Sequence, residues 1–100
     1  MTNVSKLVTD QINSNRVVVY SKTGCPYCIR SKEELKKLVD DMLVVETDHV
    51  ENGASIRSYL REQTGQSTVP NIFINKKHVG GCDDLLEKIR NGQINSLLAA

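Results

Sequence analysis

The stretch SKTGCPYCIRSKEELKKLVDD, residues 21–41, holds two cysteines three positions apart, at the point where one apolar pattern ends and another begins. It overlaps RVVVYS, residues 16–21, whose continuous apolar run is typical of a strand buried on both faces. Beyond the cysteines, apolar residues recur at helical spacing as far as Met42. We therefore predict a helix that starts near Pro26, because proline is favoured at the first helical position.

The segment LVVET, residues 43–47, predicts a second buried strand, so the region reads as a βαβ unit. Its two strands should be parallel and joined by a right-handed crossover. Outside this unit the sequence predicts a helix over Val4–Asn13 capped by Thr2 or Asn3, a helix over Glu51–Thr64 ended by Gly65, a hairpin of residues 71–75 and 76–80 turning at Asn75-Lys76, a helix over residues 82–90, and a last short helical segment after Gly92.

The predicted order of elements is α-β-α-β-α-β-β-α. A βαβ half and a ββα half joined by a helix form the thioredoxin-like arrangement, an α/β fold in which helices flank a four-stranded mixed β-sheet. The chain of 100 residues is long enough for one modest core, so we expect a single domain over residues 1–100.

Composition excludes several classes of protein. The formal charge of +1 provides no basic field for nucleic acid or an anionic membrane surface. No apolar run approaches the ~20 residues needed to span a bilayer. The N-terminal residues lack the apolar core of a secretory signal and the arginine pattern of a transit peptide. We therefore expect a cytoplasmic protein without nucleic-acid or membrane partners.

The two clustered cysteines, Cys25 and Cys28, leave three interpretations to weigh: metal ligands, a structural disulfide or a redox reagent. A closed zinc site needs four ligands, and the remaining candidates, Cys82, His49 and His78, have no spaced partner of their own. A disulfide closing so short a loop would add little stability. Redox chemistry is the interpretation that we favour, with no metal bound.

The predicted position of Cys25, at a strand-to-helix junction, favours its thiolate. Free N–H groups and the positive end of the helix dipole point at its sulfur, and Lys22 adds a nearby charge. Cys28 lies one turn into the helix, within disulfide range but deeper, so its pKa should be higher. We therefore predict that Cys25 attacks and Cys28 resolves the mixed disulfide or closes the internal one.

With CPYC placed after VVVYSKTG, and with TVP and GGCDDL downstream, the chain resembles a dithiol glutaredoxin from about Val4 to Leu98. Thioredoxins usually carry Trp-Cys-Gly-Pro-Cys, and this chain has no tryptophan. The single-cysteine relatives that hold iron–sulfur clusters have serine at the second position of the motif, where this chain has Cys28.

The resemblance implies a glutathione site. Lys22 is similar to the family's lysine that meets the glycine carboxylate, and Tyr27 to the aromatic residue beside the glutathione sulfur. Where the family often has glutamine in the third helix, this chain has Arg57, which is a stronger carboxylate partner. The alternatives are that Tyr27 is simply an exposed residue at the start of the helix and that Arg57 is a solvated charge.

Two further segments complete the site that the resemblance implies. Thr68-Val69-Pro70 would carry a cis proline, with the backbone of Val69 meeting the cysteinyl part of glutathione. The backbone N–H groups of Cys82 and Asp83 would hold the γ-glutamyl carboxylate, and the Asp83 carboxylate would meet the ammonium group. Read without the resemblance, Pro70 only starts a strand and Asp83 only caps a helix. We expect Asp84 to be only a negative charge in the first turn of the helix over residues 82–90. Cys82 is read as a buried backbone contributor or as an accessory thiol.

The resemblance further implies a glutathione-dependent thiol–disulfide oxidoreductase that works as a monomer. Cys25 would attack the protein-side sulfur of a protein–glutathione mixed disulfide and take the glutathione onto itself. A second glutathione would then release oxidised glutathione. Protein disulfides would need Cys28 as well. Glutathione would be a co-substrate rather than a bound cofactor, and an NADPH-dependent glutathione reductase would act indirectly.

Two other functions remain as alternatives. The first is an iron–sulfur carrier that binds a cluster between two protomers through Cys25 and glutathione. Pro26 argues against the carrier because it stiffens the site and removes one N–H group. The second is a thioredoxin-like redox adaptor whose dithiol is incidental.

Overall fold

A computed structural model describes residues 3–100 of the chain as helices packed on both faces of one four-stranded sheet. The elements are α1 Val4–Ser14, β1 Val17–Ser21, α2 Pro26–Lys36, β2 Met42–Glu46, α3 Gly53–Thr64, β3 Asn71–Ile74, β4 Lys77–Gly80, α4 Cys82–Arg90 and α5 Gln93–Ala99. The strand order is β2-β1-β3-β4. β1 and β2 are parallel, and β3 is antiparallel to both of its neighbours. The predicted order of elements and the parallel pair are confirmed.

Strand β1 is central because it supplies side chains to both cores. Val17 and Val19 pack with residues of α2, α4 and α5 on one face of the sheet. Val18 and Tyr20 pack with residues of α1 and α3 on the other face. Successive side chains of a strand point to opposite faces, so a continuous apolar run is what a doubly covered strand requires.

The second half of the βαβ unit differs from the prediction in two respects. Helix α2 ends at Lys36 rather than near Met42, and Met42 instead pairs with Val17 as the first residue of β2. Leu38 and Val39 continue the apolar spacing of the helix in the sequence. In the structure both lie in the turn that follows the helix, where their N–H groups bond to the Leu35 carbonyl. β2 was predicted to be buried, but only Val45 is, because β2 is an edge strand of the sheet.

Helix α3 begins at Gly53, two residues later than predicted. The residues before it form turns, in which the N–H groups of His49 and Val50 bond to the Glu46 carbonyl. Gly53 is buried against the chain at Thr47, and a β-carbon on Gly53 would overlap the Thr47 carbonyl oxygen. Only glycine can approach the Thr47 carbonyl this closely. The helix therefore starts at Gly53, after the turn that brings this residue against Thr47.

The hairpin and the helix ends follow the sequence closely. Asn75 and Lys76 both have positive φ, 48° and 71°, as a two-residue hairpin turn of this hand requires. Gly65 ends α3 in the left-handed conformation that was predicted for a helix stop. Asn3 caps α1 by accepting a hydrogen bond from the Lys6 N–H, and the other predicted cap, Thr2, lies outside the described residues.

Within residues 3–100, no helix combines the length and the apolar character needed to cross a membrane.

We expect the substitution Gly53→Ala to destabilise the protein although alanine is the better helix former. The added methyl group must displace the Thr47 carbonyl, and overpacking of this kind costs about 1–3 kcal/mol. Urea denaturation should show the lower free energy of unfolding. The control Ser55→Ala, at an exposed position of the same helix, should stay within about 0.5 kcal/mol of the original protein. Equal stability of Gly53→Ala and the original chain would contradict the packing described.

Candidate functional site

Cys25 lies between β1 and α2, at the N-cap of the helix, with Pro26 in the first turn. Its backbone N–H closes a turn onto the Lys22 carbonyl at 3.3 Å, and its own carbonyl accepts the Ile29 N–H at 3.0 Å. The side chain of Cys25 is half-buried, whereas Cys28 is fully buried one turn along. Both are free thiols. The predicted difference in depth between the two cysteines is confirmed.

The surroundings of the two thiols push their pKa values apart. The backbone N–H of Cys28 is the largest cause that lowers the pKa of Cys25. The Cys28 thiol and the Tyr27 N–H add to it, and the charge of Lys22 contributes least. Burial instead raises the pKa of Cys28. Of the two thiols, Cys25 therefore ionises more readily, and the helix start contributes more to its lowered pKa than the lysine does.

The loop that carries Lys22 is fastened to the end of β2 by Asp48. Its carboxylate accepts the Thr23 backbone N–H at 3.1 Å and the Thr23 hydroxyl through the other oxygen. The Thr23 hydroxyl also lowers the pKa of Asp48, and His49 Nε2 lies 3.2 Å from the same hydroxyl oxygen. Sequence reasoning missed this clamp. An acidic residue that directly follows a strand at the same sheet edge was the available signal.

A cavity of about 420 Å³ lies beside the cysteine motif. Six of the predicted site residues line it: Tyr27, Thr68, Val69, Pro70, Cys82 and Asp83. The structure therefore brings together the motif, the TVP segment and the start of α4, which are far apart in the sequence. Tyr27 is 64% exposed, so its ring stands free at the mouth of the cavity. The Val69–Pro70 peptide bond is cis, as the resemblance implied.

The opposite end of the cavity is the start of α4. The first N–H groups of a helix have no partner within the helix, which leaves those of Cys82 and Asp83 facing outward from the first turn. Asp84, rather than Asp83, caps the helix by accepting the Gly81 N–H at 3.2 Å. Asp84 is therefore more than the first-turn charge that the sequence suggested, and the Asp83 carboxylate remains available to a ligand. Cys82 is buried, which fits a backbone contributor better than an accessory thiol.

The two predicted cations lie outside the cavity lining. Lys22 is exposed in the loop before Cys25. Arg57 lies at a small cleft that adjoins Thr68 and Val69, and its Nη1 donates to the Thr47 carbonyl at 3.2 Å. Arg57 is exposed and does not line the cavity, but it stands next to the TVP segment. Lys22 and Arg57 could reach a ligand that extends beyond the cavity.

Gln66 is a lining residue that sequence reasoning missed altogether. It stands two positions before the TVP segment, where no spacing or charge pattern distinguishes it from an ordinary loop residue. Across residues 3–100, no group of three or more histidine, cysteine, aspartate or glutamate side chains is arranged to hold a metal ion.

Comparison with known proteins places this chain in a family. A sequence model of the glutaredoxin family, described as "Glutaredoxin", matches residues 17–79, which include both cysteines and the TVP segment. Glutaredoxin-1 of Rhizophagus irregularis is 44% identical over 100 residues, covering all of this chain and 99% of that protein.

Solved structures agree with the sequence match. The crystal structure of a buckwheat glutaredoxin–glutathione complex is similar with a TM-score of 0.92 and 41% identity, over 96% of this chain and 87% of that one. The crystal structure of the holo form of glutaredoxin C1 from Populus tremula x tremuloides has a TM-score of 0.90 and 40% identity, over 96% of this chain and 95% of that one. The thioredoxin-like fold that the sequence predicted is confirmed.

We expect iodoacetamide to alkylate Cys25 well before Cys28 in the reduced protein. Because the pKa of Cys25 is lowered, its thiolate persists as the pH falls through the range in which an ordinary cysteine becomes protonated. The alkylation rate followed against pH, with peptide mapping of the label, gives the apparent pKa. In the variant Cys28→Ser, the pKa of Cys25 should stay below that of free cysteine, because serine preserves the backbone N–H of residue 28. A Cys25 that titrates like a free cysteine would contradict this account.

Proposed function

Because the chain belongs to the glutaredoxin family and is a glutathione-dependent thiol–disulfide oxidoreductase, we propose that Cys25 is its nucleophile and Cys28 its resolving thiol. The observation that carries this assignment is the opposite displacement of the two pKa values at the start of α2. An adaptor with an incidental dithiol has no need of this difference. The difference and the family membership favour the redox function over the adaptor and over the iron–sulfur carrier.

The reaction with a glutathionylated client is a pair of thiol–disulfide exchanges. The Cys25 thiolate forms a bond to the glutathione sulfur, the client–glutathione bond breaks, and the client leaves as a thiolate that takes up a proton. The expectation from the sequence that Cys25 attacks the protein-side sulfur is wrong. Attack at that sulfur would bond the client to Cys25 and release glutathione, whereas glutathione has to be transferred to Cys25. A second glutathione thiolate then attacks the glutathione sulfur on Cys25, which regenerates the Cys25 thiolate and yields oxidised glutathione.

With a disulfide-bonded client, the Cys25 thiolate bonds to one client sulfur, the client disulfide breaks, and the other client sulfur leaves as a thiolate that takes up a proton. The Cys28 thiol then loses its proton and bonds to the Cys25 sulfur, the bond from Cys25 to the client breaks, and the second client sulfur leaves reduced. Two glutathione molecules then reduce the Cys25–Cys28 disulfide and leave as oxidised glutathione. The buried position of Cys28 and its raised pKa keep it protonated until this step. Glutathione reductase restores the glutathione pool indirectly.

In the complex that we propose, glutathione lies along the cavity with its sulfur at Cys25 beside the Tyr27 ring. Its cysteinyl part meets the backbone of Val69, with Thr68 and Pro70 alongside. Its γ-glutamyl carboxylate meets the N–H groups that open α4 at Cys82, and its ammonium group meets Asp83. The chemistry of the lining supports this pose, since exposed N–H groups favour an anion and a free carboxylate favours a cation.

The glycine carboxylate of glutathione would reach the cations outside the cavity, Lys22 and Arg57. We further propose that the protein acts as a monomer, because one chain supplies every part of this site. A reducing compartment such as the cytoplasm suits a dithiol that must begin each cycle reduced. Glutathionylated and disulfide-bonded proteins are its clients.

The variant Cys25→Ser should lose reduction of both glutathionylated proteins and protein disulfides, because a serine hydroxyl cannot replace the thiolate. The variant Cys28→Ser should retain the first activity and lose the second. A coupled assay that follows NADPH oxidation by glutathione reductase measures both activities, and circular dichroism verifies the fold of each variant. Deglutathionylation by Cys25→Ser would show that another group is the nucleophile.

Replacing Lys22 or Arg57 with glutamine should raise the apparent KM for glutathione by about twofold to fivefold, the effect of losing one exposed ion pair. The same coupled assay, run over a series of glutathione concentrations, measures the change. Lys36→Gln, which removes an exposed lysine at the far end of α2, is the matched control and should leave KM unchanged. Unchanged KM values in both test variants would refute the carboxylate assignments.

A further inference from the structure

The segment between α3 and β3 has no regular secondary structure, yet its carbonyl groups are held in place. Gln66 Nε2 donates to the Thr68 carbonyl at 2.9 Å and to the Pro70 carbonyl at 2.8 Å. Its side-chain amide therefore spans the TVP segment and fixes the carbonyls on either side of Val69. Both amide protons are used, since one NH₂ group has two to give.

The Gln66 amide is itself oriented from β4 by His78. His78 Nε2 lies 3.1 Å from Gln66 Oε1 and 2.9 Å from Asn71 Oδ1. Both of these oxygens are acceptors, so Nε2 must carry the proton that the two share. The imidazole is held against the Phe73 ring, with the ring centres 5.3 Å apart. This fixes which way round the Gln66 amide lies.

The network is anchored at the end of α3. The Gln66 backbone N–H donates to the Thr64 hydroxyl oxygen at 3.1 Å, and that hydroxyl donates to the Leu60 carbonyl at 2.7 Å. Asn71 Nδ2 lies 3.4 Å from the same hydroxyl oxygen, which joins the start of β3 to it. Three regular elements therefore determine the position of one loop amide.

Gln66 also stands where the two halves of the cavity meet. A β-carbon on Gly81 would lie 3.6 Å from the Pro70 carbonyl oxygen and 3.7 Å from Gln66 Nε2. The TVP segment and the corner before α4 thus approach each other across the Gln66 amide, and Gln66 lines the cavity together with both.

We propose that Gln66, oriented by His78, is a positioning residue that holds the backbone of Val69 in the conformation in which it receives glutathione. The carbonyls held by Gln66 flank Val69, so they determine the direction of the Val69 N–H and C=O. Gln66 touches no reacting atom, and the network does not reach the Cys25 sulfur. The inference rests on the proposed function, in which Val69 meets the cysteinyl part of glutathione.

The test compares two disulfides of one cysteine-containing peptide, the glutathionyl form and the 2-hydroxyethyl form. The two forms share the client peptide, and only the glutathionyl form carries the glutathione backbone that Val69 is proposed to recognise. Reduced protein is mixed with each disulfide, the reaction is quenched with acid, and the released peptide is measured by chromatography. The second-order rate constant then reports the attack by Cys25 alone. The original protein should react faster with the glutathionyl peptide, and equal rates would refute the proposed glutathione site itself.

Gln66→Leu and Gln66→Glu each remove the donors to the TVP carbonyls, the second while keeping an acceptor for His78. In both variants the rate constant with the glutathionyl peptide should fall about fivefold to tenfold, as expected for one or two lost hydrogen bonds. The rate with the hydroxyethyl form should stay within about twofold. Gln63→Leu, the same change at an exposed position of α3, is the matched control and should alter neither rate.

The role of His78 is tested in the same way. His78→Phe removes the donor but keeps a ring against Phe73, and it should reduce the preference for the glutathionyl peptide. His78→Gln restores an N–H donor and should restore the preference. The double variant of Gln66→Leu with His78→Phe should be no worse than Gln66→Leu alone, because His78 acts through Gln66.

If the original protein prefers the glutathionyl peptide, three results with the variants would overturn the inference. One is an unchanged preference in Gln66→Leu and Gln66→Glu. Another is an equal loss of rate with both disulfides, or a shifted alkylation pKa of Cys25, which would indicate general disruption of the fold. The third is additive loss in the double variant, which would show that His78 acts independently.

Discussion

The site depends on the hydrogen-bonding capacity left open where α2 begins. Cys25 occupies the N-cap, and the backbone N–H of Cys28 is the largest cause of its lowered pKa. The same turn of helix buries Cys28, which raises the pKa of that thiol. One structural element therefore lowers the pKa of one thiol and raises the pKa of a second thiol three residues along the chain. Lys22 adds less than the backbone does, so the chemistry resides mainly in the fold.

The sheet brings the remainder of the site to this helix start. β1 lies between β2 and β3, and the antiparallel register pairs Tyr20 with Asn71. The end of β1, which leads into the cysteine motif, and the start of β3, which follows the cis Pro70, therefore lie side by side at the same end of the strands. Strand β4 ends there as well and leads into α4. The cavity beside the cysteine motif is therefore lined by residues of three segments that are far apart in the sequence.

The sequence predicted what depends on local pattern and missed what depends on tertiary contact. The apolar run of β1, the cap position of Cys25 and the stop at Gly65 are each determined by neighbouring residues, and each is where it was expected. The late start of α3 depends on the approach of Gly53 to Thr47, and the clamp of Asp48 on Thr23 joins segments that only folding brings together. The cap of α4 by Asp84 instead of Asp83 differs by one residue, which spacing alone could not resolve. Gln66 is held in place by side chains of α3, β3 and β4, so no short stretch of sequence reveals its contacts.

The central claim is that Cys25 takes glutathione from a client onto itself. The most direct measurement is the mass of the Cys28→Ser protein after reaction with a glutathionylated peptide in the absence of free glutathione, followed by peptide mapping. Our account predicts a single added glutathione on the fragment that contains Cys25, with the client peptide released as a thiol. The client peptide attached to Cys25, or glutathione found on Cys82 instead, would contradict it.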